Sequence, residues 1–263
     1  MLTAGGGTSM YKEKLMENKK MIFLMLFIIY ASSIGYSIGF INQYSNYNFS
    51  ICKMDLILMI LNPNYIGTFL TIFPAYLAMH MTKYDFNTNL ILRYKDKRII
   101  WLRQNMHIII NSFIVMCSVV LFDFIFGAIK RISTYNWDLE DSMFFKRTHG
   151  ITVQGKQALV ILSTIIIGAL VISIISILCN LIYWITNSQI ISSFIVIAYC
   201  LWNSCNPLFV LNLFSKVRLR EMDFVTGNKF IFDVIILSLI IIALIFSSII
   251  IIRKKEFLNN TRG

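Results

Sequence analysis

Charge is scarce in this chain. Only 14% of its 263 residues are Asp, Glu, Lys or Arg, where a globular domain of this length carries about a quarter. Proline is nearly absent, with three residues in all, so few points interrupt a helix by force. Five cysteines (Cys52, Cys117, Cys179, Cys200, Cys205) make no C-x-x-C pair and no even framework, which excludes a disulfide-stapled scaffold. Three of them (Cys117, Cys179, Cys200) fall in apolar runs, where cysteine behaves as a small hydrophobe. Three histidines (His80, His107, His149), no H-E-x-x-H and no G-x-S-x-G leave hydrolytic and metal chemistry without a motif.

What is present is apolar length. Mean hydropathy is +0.70, and the apolar residues gather in six runs: 21–40, 65–81, 108–129, 158–184, 190–211 and 230–252. A helix needs about 20 residues to cross about 30 Å of hydrocarbon. In lipid every backbone N–H and C=O must be satisfied internally, so such runs span as helices. The sequence therefore predicts an all-α membrane protein with six transmembrane helices over 21–252. A segment 1–20 precedes them and a tail 253–263 follows. Met1–Ser9, with its Gly-Gly-Gly, reads as an unstructured lead-in, with Met10 a plausible start. The first run is too long for a signal h-region and no small-residue cleavage site follows it. Richness in Ile, Asn, Lys, Tyr and Phe suggests an AT-rich bacterial genome and hence the bacterial cytoplasmic membrane.

The second run is short, and Asn62-Pro63-Asn64 separates it from apolar residues 54–61. Proline removes a donor there, so a broken or re-entrant span is expected. Asn206-Pro207 marks a similar break near the end of the fifth run, with a short amphipathic helix expected over 215–229.

Net charge is +11, but the basic residues cluster beside apolar runs. Anionic lipid headgroups are their nearer partner, and nucleic acid is not expected. Placing both ends in the cytoplasm puts 14 of the 24 Lys and Arg inside. The inner set runs from Lys12, Lys14, Lys19 and Lys20 through Lys83, Arg93, Lys95, Lys97, Arg98 and Arg103 to Arg253, Lys254, Lys255 and Arg262. Residues 130–156 are then a polar external loop. Within it Gly150-x-x-x-x-Gly155-Lys156 matches a phosphate loop by chance. Gln157 stands where Ser or Thr must reach Mg²⁺, and a charged segment replaces the required strand.

Asp123, in Phe122-Asp123-Phe124, is an ionisable group at bilayer depth. Such a group costs several kcal/mol unless it faces partners or water. It is either a polar point on a substrate path, together with Asn62 and Asn206, or a hydrogen-bonded packing contact. Between the second and third runs, 88–94 can form a short helix with Leu90, Ile91 and Tyr94 on one side and Arg93 at its end. Asp96 is placed to cap a second helix leading into the third span. Arg98 beside it would meet headgroups, and Trp101 would sit in the interfacial aromatic belt.

Arg93-Tyr94-Lys95-Asp96-Lys97-Arg98-Ile99-Ile100-Trp101 resembles a pattern in ABC-2-type transporter permease subunits. There an arginine closes a short cytoplasmic coupling helix between spans two and three. A capping residue, a basic pair and an aromatic then open span three. Six spans with cytoplasmic N and C termini and a broken fifth span are similar too, although the family's loop at 130–156 is often shorter. The resemblance implies ATPase-coupling roles for Leu90, Ile91, Arg93, Tyr94, Asp96, Arg98 and Trp101. It also implies a second permease copy or paralogue and a separate cytosolic ABC ATPase carrying the ATP and Mg, with no cofactor or catalytic residue in this chain. Such permeases often export peptides, antimicrobial peptides in self-protection among them. Two other readings stay open: a non-transporting immunity or sensor protein that captures a peptide through 130–156, and a membrane-embedded peptidase pairing His80 or His107 with a cysteine. No nearby pair in the sequence supports the last.

Overall fold

The computed structural model describes residues 19–45, 49–83, 96–206, 213–226 and 229–253. Among them there is no strand, only two isolated bridges, Ser50 with Ser142 and Cys52 with Ser133. Among the described residues the α-helices longer than three residues are α1 (Lys19–Ser45), α2 (Lys53–Met59), α3 (Ile72–Lys83), α4 (Lys97–Ile129), α5 (Met143–Arg147), α6 (Gln157–Thr186), α7 (Gln189–Cys205), α8 (Leu213–Lys216), α9 (Asp223–Thr226) and α10 (Lys229–Arg253). Four of them, α1, α4, α6 and α10, are long and apolar enough to cross a membrane, and the bent pair around Pro63 makes a fifth. This is the plan of a multi-pass membrane protein. Helix α7 has 17 residues, about 25 Å of rise at 1.5 Å per residue, and falls short of a full crossing.

The outer surface makes sense only in lipid. Phe23, Phe27, Phe194, Ile242 and Phe246 are exposed around the bundle, an apolar area that water would not tolerate on a monomer. Helix α6 is the centre. Two thirds (67%) of its most apolar window is buried, against 22% for α1 and for α10, and α3, α4, α7 and α10 all pack on it. Small residues let the neighbours approach. A Cβ at Gly168 would fall 2.6 Å from Met116 Cε, and buried Ser173 returns its hydroxyl to the Ala169 carbonyl at 2.7 Å.

Local chemistry sets the helix ends. Asp96 is extended and accepts the Arg98 amide at 2.9 Å, as expected of an N-cap. Asn187, left-handed at φ 56°, ends α6, and Ser188 caps α7, so a two-residue turn folds α7 back along α6. The Asn62-Pro63 break is also present. Asn62 accepts the Asn64 amide at 3.0 Å with Pro63 as the first helical residue. A π segment, Ile66–Leu70, follows before α3 begins, and the two halves meet at 50°.

Segments 49–52, 130–156 and 213–226 fold together at one end of the bundle into a cap. The Ser50 amide bonds the Asp141 carbonyl and the Lys53 amide bonds that of Ser133. The 130–156 segment is thus not a plain polar loop. Trp137, Met143 and Phe144 in it are buried, with the Trp137 and Phe144 rings stacked at 4.3 Å. The amphipathic helix expected over 215–229 is replaced by two single turns, α8 and α9, joined by irregular chain and a turn at 221–222. Val217 and Leu219 in the irregular stretch are both buried.

Candidate functional site

The cap end and the opposite end each hold a polar cluster. At the cap end, Asp55 stands in the first turn of α2, 2% exposed. It accepts the Cys52 amide at 2.9 Å and the Trp137 indole N–H at 2.8 Å. Its neighbour Lys53, 9% exposed, places its ammonium 4.6 Å from the Phe124 ring centroid and 3.4 Å from Thr134 Oγ1, a desolvated cation–π contact. The Tyr135 hydroxyl donates to the Val153 carbonyl at 2.6 Å, and burial pushes its pKa up to about 12. That bond, with the Val153 amide donating to the Trp137 carbonyl at 3.2 Å, ties 150–156 to the rest of the cap. The Gly150–Lys156 stretch is consequently irregular chain with Gly150 and Gly155 at positive φ, and no strand leads into it.

A cavity of about 480 Å³ opens between the cap and the last turns of α1. Gly35 and Gly39 leave one wall bare, Tyr36, Gln43 and Tyr44 line it further along, and Asn62 with Met59 closes the side at the break. Two guanidinium groups, Arg147 and Arg218, face it from the cap. Arg147 pairs with Glu221 and donates to the Tyr44 hydroxyl. Burial opposes its charge, but Glu221 and Tyr44 outweigh burial and hold it above the ordinary arginine range.

The break of the second span and the end of α7 lie side by side. Ser204 Oγ donates to the Pro63 carbonyl at 3.3 Å and to Cys200 at 2.8 Å. Thr71 Oγ1 lies 3.6 Å from Cys200 Sγ. Gly67 is there because nothing larger fits: a Cβ would stand 2.1 Å from Ser204 Oγ and 2.8 Å from the Phe214 ring.

At the opposite end, α4 is keyed to α6. Gln104 Oε1 accepts from Trp184 Nε1 at 2.8 Å and from Asn180 Nδ2 at 3.2 Å. The Trp101 ring meets Trp184 edge-on, centroids 5.7 Å apart. All four side chains are buried.

The sequence-derived candidates are distributed unevenly over this frame. Leu90, Ile91, Arg93 and Tyr94 lie outside the described residues. Asp96 caps α4 and pairs with exposed Arg98 at 2.8 Å. Trp101 departs from expectation. It is fully buried against Trp184 and not in a lipid-facing belt, because its position on α4 points toward α6. Asp123 is 1% exposed and accepts the Ser33 hydroxyl at 2.6 Å across the α1–α4 contact. It does not line the cavity, and its geometry is that of a packing contact. Asn62 does line the cavity, whereas Asn206 donates back to the Trp202 carbonyl at the end of α7.

Arg147, Arg218, Tyr44 and the Gln104–Asn180–Trp184 key escaped the sequence reading. Polar residues four apart in an apolar run, Asn180 and Trp184, are a usable signal for the key. The arginines carry no such signal, since they meet only through folding of the cap. Among the described residues no group of three or more His, Cys, Asp or Glu could hold a metal. No protein family, no curated protein and no solved structure matches this chain closely enough to identify a family for it.

Proposed function

We propose that this chain is the permease subunit of an ATP-driven transporter in a bacterial cytoplasmic membrane, working with a separate cytosolic ATPase and a second permease copy or paralogue. It exports a peptide or other amphipathic substrate by alternating access. On this reading α7 completes six spans, the cap is external and both chain ends are cytoplasmic. Residues 84–95 with the first turn of α4 receive the push of the motor.

The observation that carries the reading is the rigid start of α4. Asp96 caps the helix, and two turns on Trp101 and Gln104 lock it to Trp184 and Asn180 of the central helix. A displacement at residue 96 therefore reaches the core with little loss, as an allosteric element between two states requires. The break at Asn62-Pro63 beside the end of α7 supplies a place for the bundle to hinge.

The test is co-purification with candidate ABC ATPases, followed by ATP hydrolysis of the complex. Arg93→Ala with Tyr94→Ala is expected to lower coupled hydrolysis by about tenfold, the loss of ~1.4 kcal/mol of interaction. Failure of every ATPase to associate removes the proposal. Protection against a peptide in cells lacking the ATPase supports the capture reading instead.

A further inference from the structure

The cavity beside the last turns of α1 has one feature that the fold does not use. Of its two guanidinium groups, Arg147 is neutralised by Glu221 and held by Tyr44. The Arg218 guanidinium makes no hydrogen bond or ion pair among the described residues, and the residue lines the cavity together with Tyr36. Its backbone is nevertheless fixed. Lys229 Nζ donates to the Arg218 carbonyl at 2.7 Å and pairs with Asp223 at 3.0 Å, while Asp223 accepts the Arg220 amide at 2.7 Å. A partly buried cation on a pinned backbone, facing about 480 Å³ of space, is a preorganised anion contact.

The rest of the wall describes what the anion is attached to. Gln43 and Asn62 carry amide groups that can donate. Phe40 and Met59 add apolar surface, and beside Gly35 and Gly39 a Cβ would meet nothing within 4 Å. This open glycine face lies in the last three turns of α1, with exposed Ile38 next to it. In a helix that spans, those turns stand where hydrocarbon gives way to headgroups, the depth that Tyr36 and Tyr44 also favour.

We infer that this cavity binds the phosphate of an anionic amphiphile, with the Arg218 guanidinium as the charged contact and the Gly35–Gly39 face accommodating the apolar part. A guanidinium offers phosphate two parallel N–H donors, a geometry that lysine does not reproduce. The inference rests on the long helices spanning a bilayer and is independent of any coupled ATPase. A phosphate can come from a lipid headgroup or from free phosphate. The apolar wall and the depth favour the lipid.

Purified full-length protein in a zwitterionic detergent is titrated with dihexanoyl phosphatidylglycerol, dihexanoyl phosphatidylcholine and inorganic phosphate. Thermal unfolding and native mass spectrometry are the readouts. Phosphatidylglycerol is expected to raise the unfolding midpoint and form a one-to-one adduct, with at least about tenfold weaker binding of phosphatidylcholine and of inorganic phosphate. Arg218→Gln is expected to weaken phosphatidylglycerol about tenfold, and Lys19→Gln, at the far end of α1, to leave it unchanged. If Arg218→Gln fails to fold, Gly39→Leu fills the cavity from the opposite wall with Arg218 intact and is expected to abolish the adduct. Equal binding of phosphatidylcholine, or of inorganic phosphate, overturns the assignment. So does undiminished binding by the folded variants.

Discussion

Asp55 shows how a single side chain can join two distant parts of a membrane protein. It sits in the first turn of α2, but its two oxygens serve Cys52 at the entry to that helix and Trp137 in the cap. Replacing it with alanine leaves a buried indole N–H and a buried amide without an acceptor, at about 1–3 kcal/mol each. Asp55→Ala should therefore lower the unfolding midpoint by several degrees, whereas Trp137→Phe keeps the stack on Phe144 and loses only the donor. The smaller shift is expected from Trp137→Phe, and the reverse order in a thermal melt would mean that the ring, not the hydrogen bond, holds the cap. The sequence does not single out Asp55, because the indole that it holds in the cap is 82 positions away. Asp123 was legible as an anomaly, but its choice between path and packing depended on where Ser33 stands.

Among elements, the broken second span is the one whose sequence signal survives almost intact. Asn62-Pro63 caps and restarts the helix for reasons internal to five residues. What the sequence does not carry is that α7 ends beside the break, so that Ser204 bonds the Pro63 carbonyl. Gly67 is the check on this packing. Gly67→Ala puts a methyl 2.1 Å from Ser204 Oγ and 2.8 Å from Phe214. Overpacking of that kind costs about 1–3 kcal/mol, and thermal unfolding in detergent should show the loss, with Ser204→Ala restoring part of it in the double variant. A Gly67→Ala protein as stable as the parent would mean that α7 and the π segment do not meet. The helix that carries the third span starts at Lys97, ahead of the apolar run at 108 and at the Asp96 cap where the sequence expected a helix to begin. Basic residues beyond the hydrocarbon do not stop a helix, and Asp96 caps it where the backbone allows.

For the whole molecule, the three segments that form the cap must lie on one side of the membrane, because they hydrogen-bond to one another. On the proposed topology, the distribution of lysine and arginine predicts that this side is the exterior. In a cysteine-free background, Glu140→Cys on the cap should react with a membrane-impermeant maleimide in intact cells. Lys20→Cys at the other end should react only after lysis. The opposite pattern would invert the topology and remove the cytoplasmic role proposed for residues 84–95. Native Cys52 should stay unlabelled in the folded protein, since it is fully buried and burial pushes its thiol pKa well up.

Sequence alone determined that this chain is helical and apolar enough for a membrane, roughly where its long helices run, and where the second span breaks. Those properties follow from hydrocarbon thickness, backbone satisfaction and proline, each of which acts over one turn or one span. Only the tertiary structure decided that 130–156 is a packed cap, that Trp101 is a key between helices, and that Arg147 and Arg218 share a cavity in which, among the described residues, only Arg147 has an acidic partner. Each of those depends on contacts between residues dozens of positions apart, which no local pattern encodes.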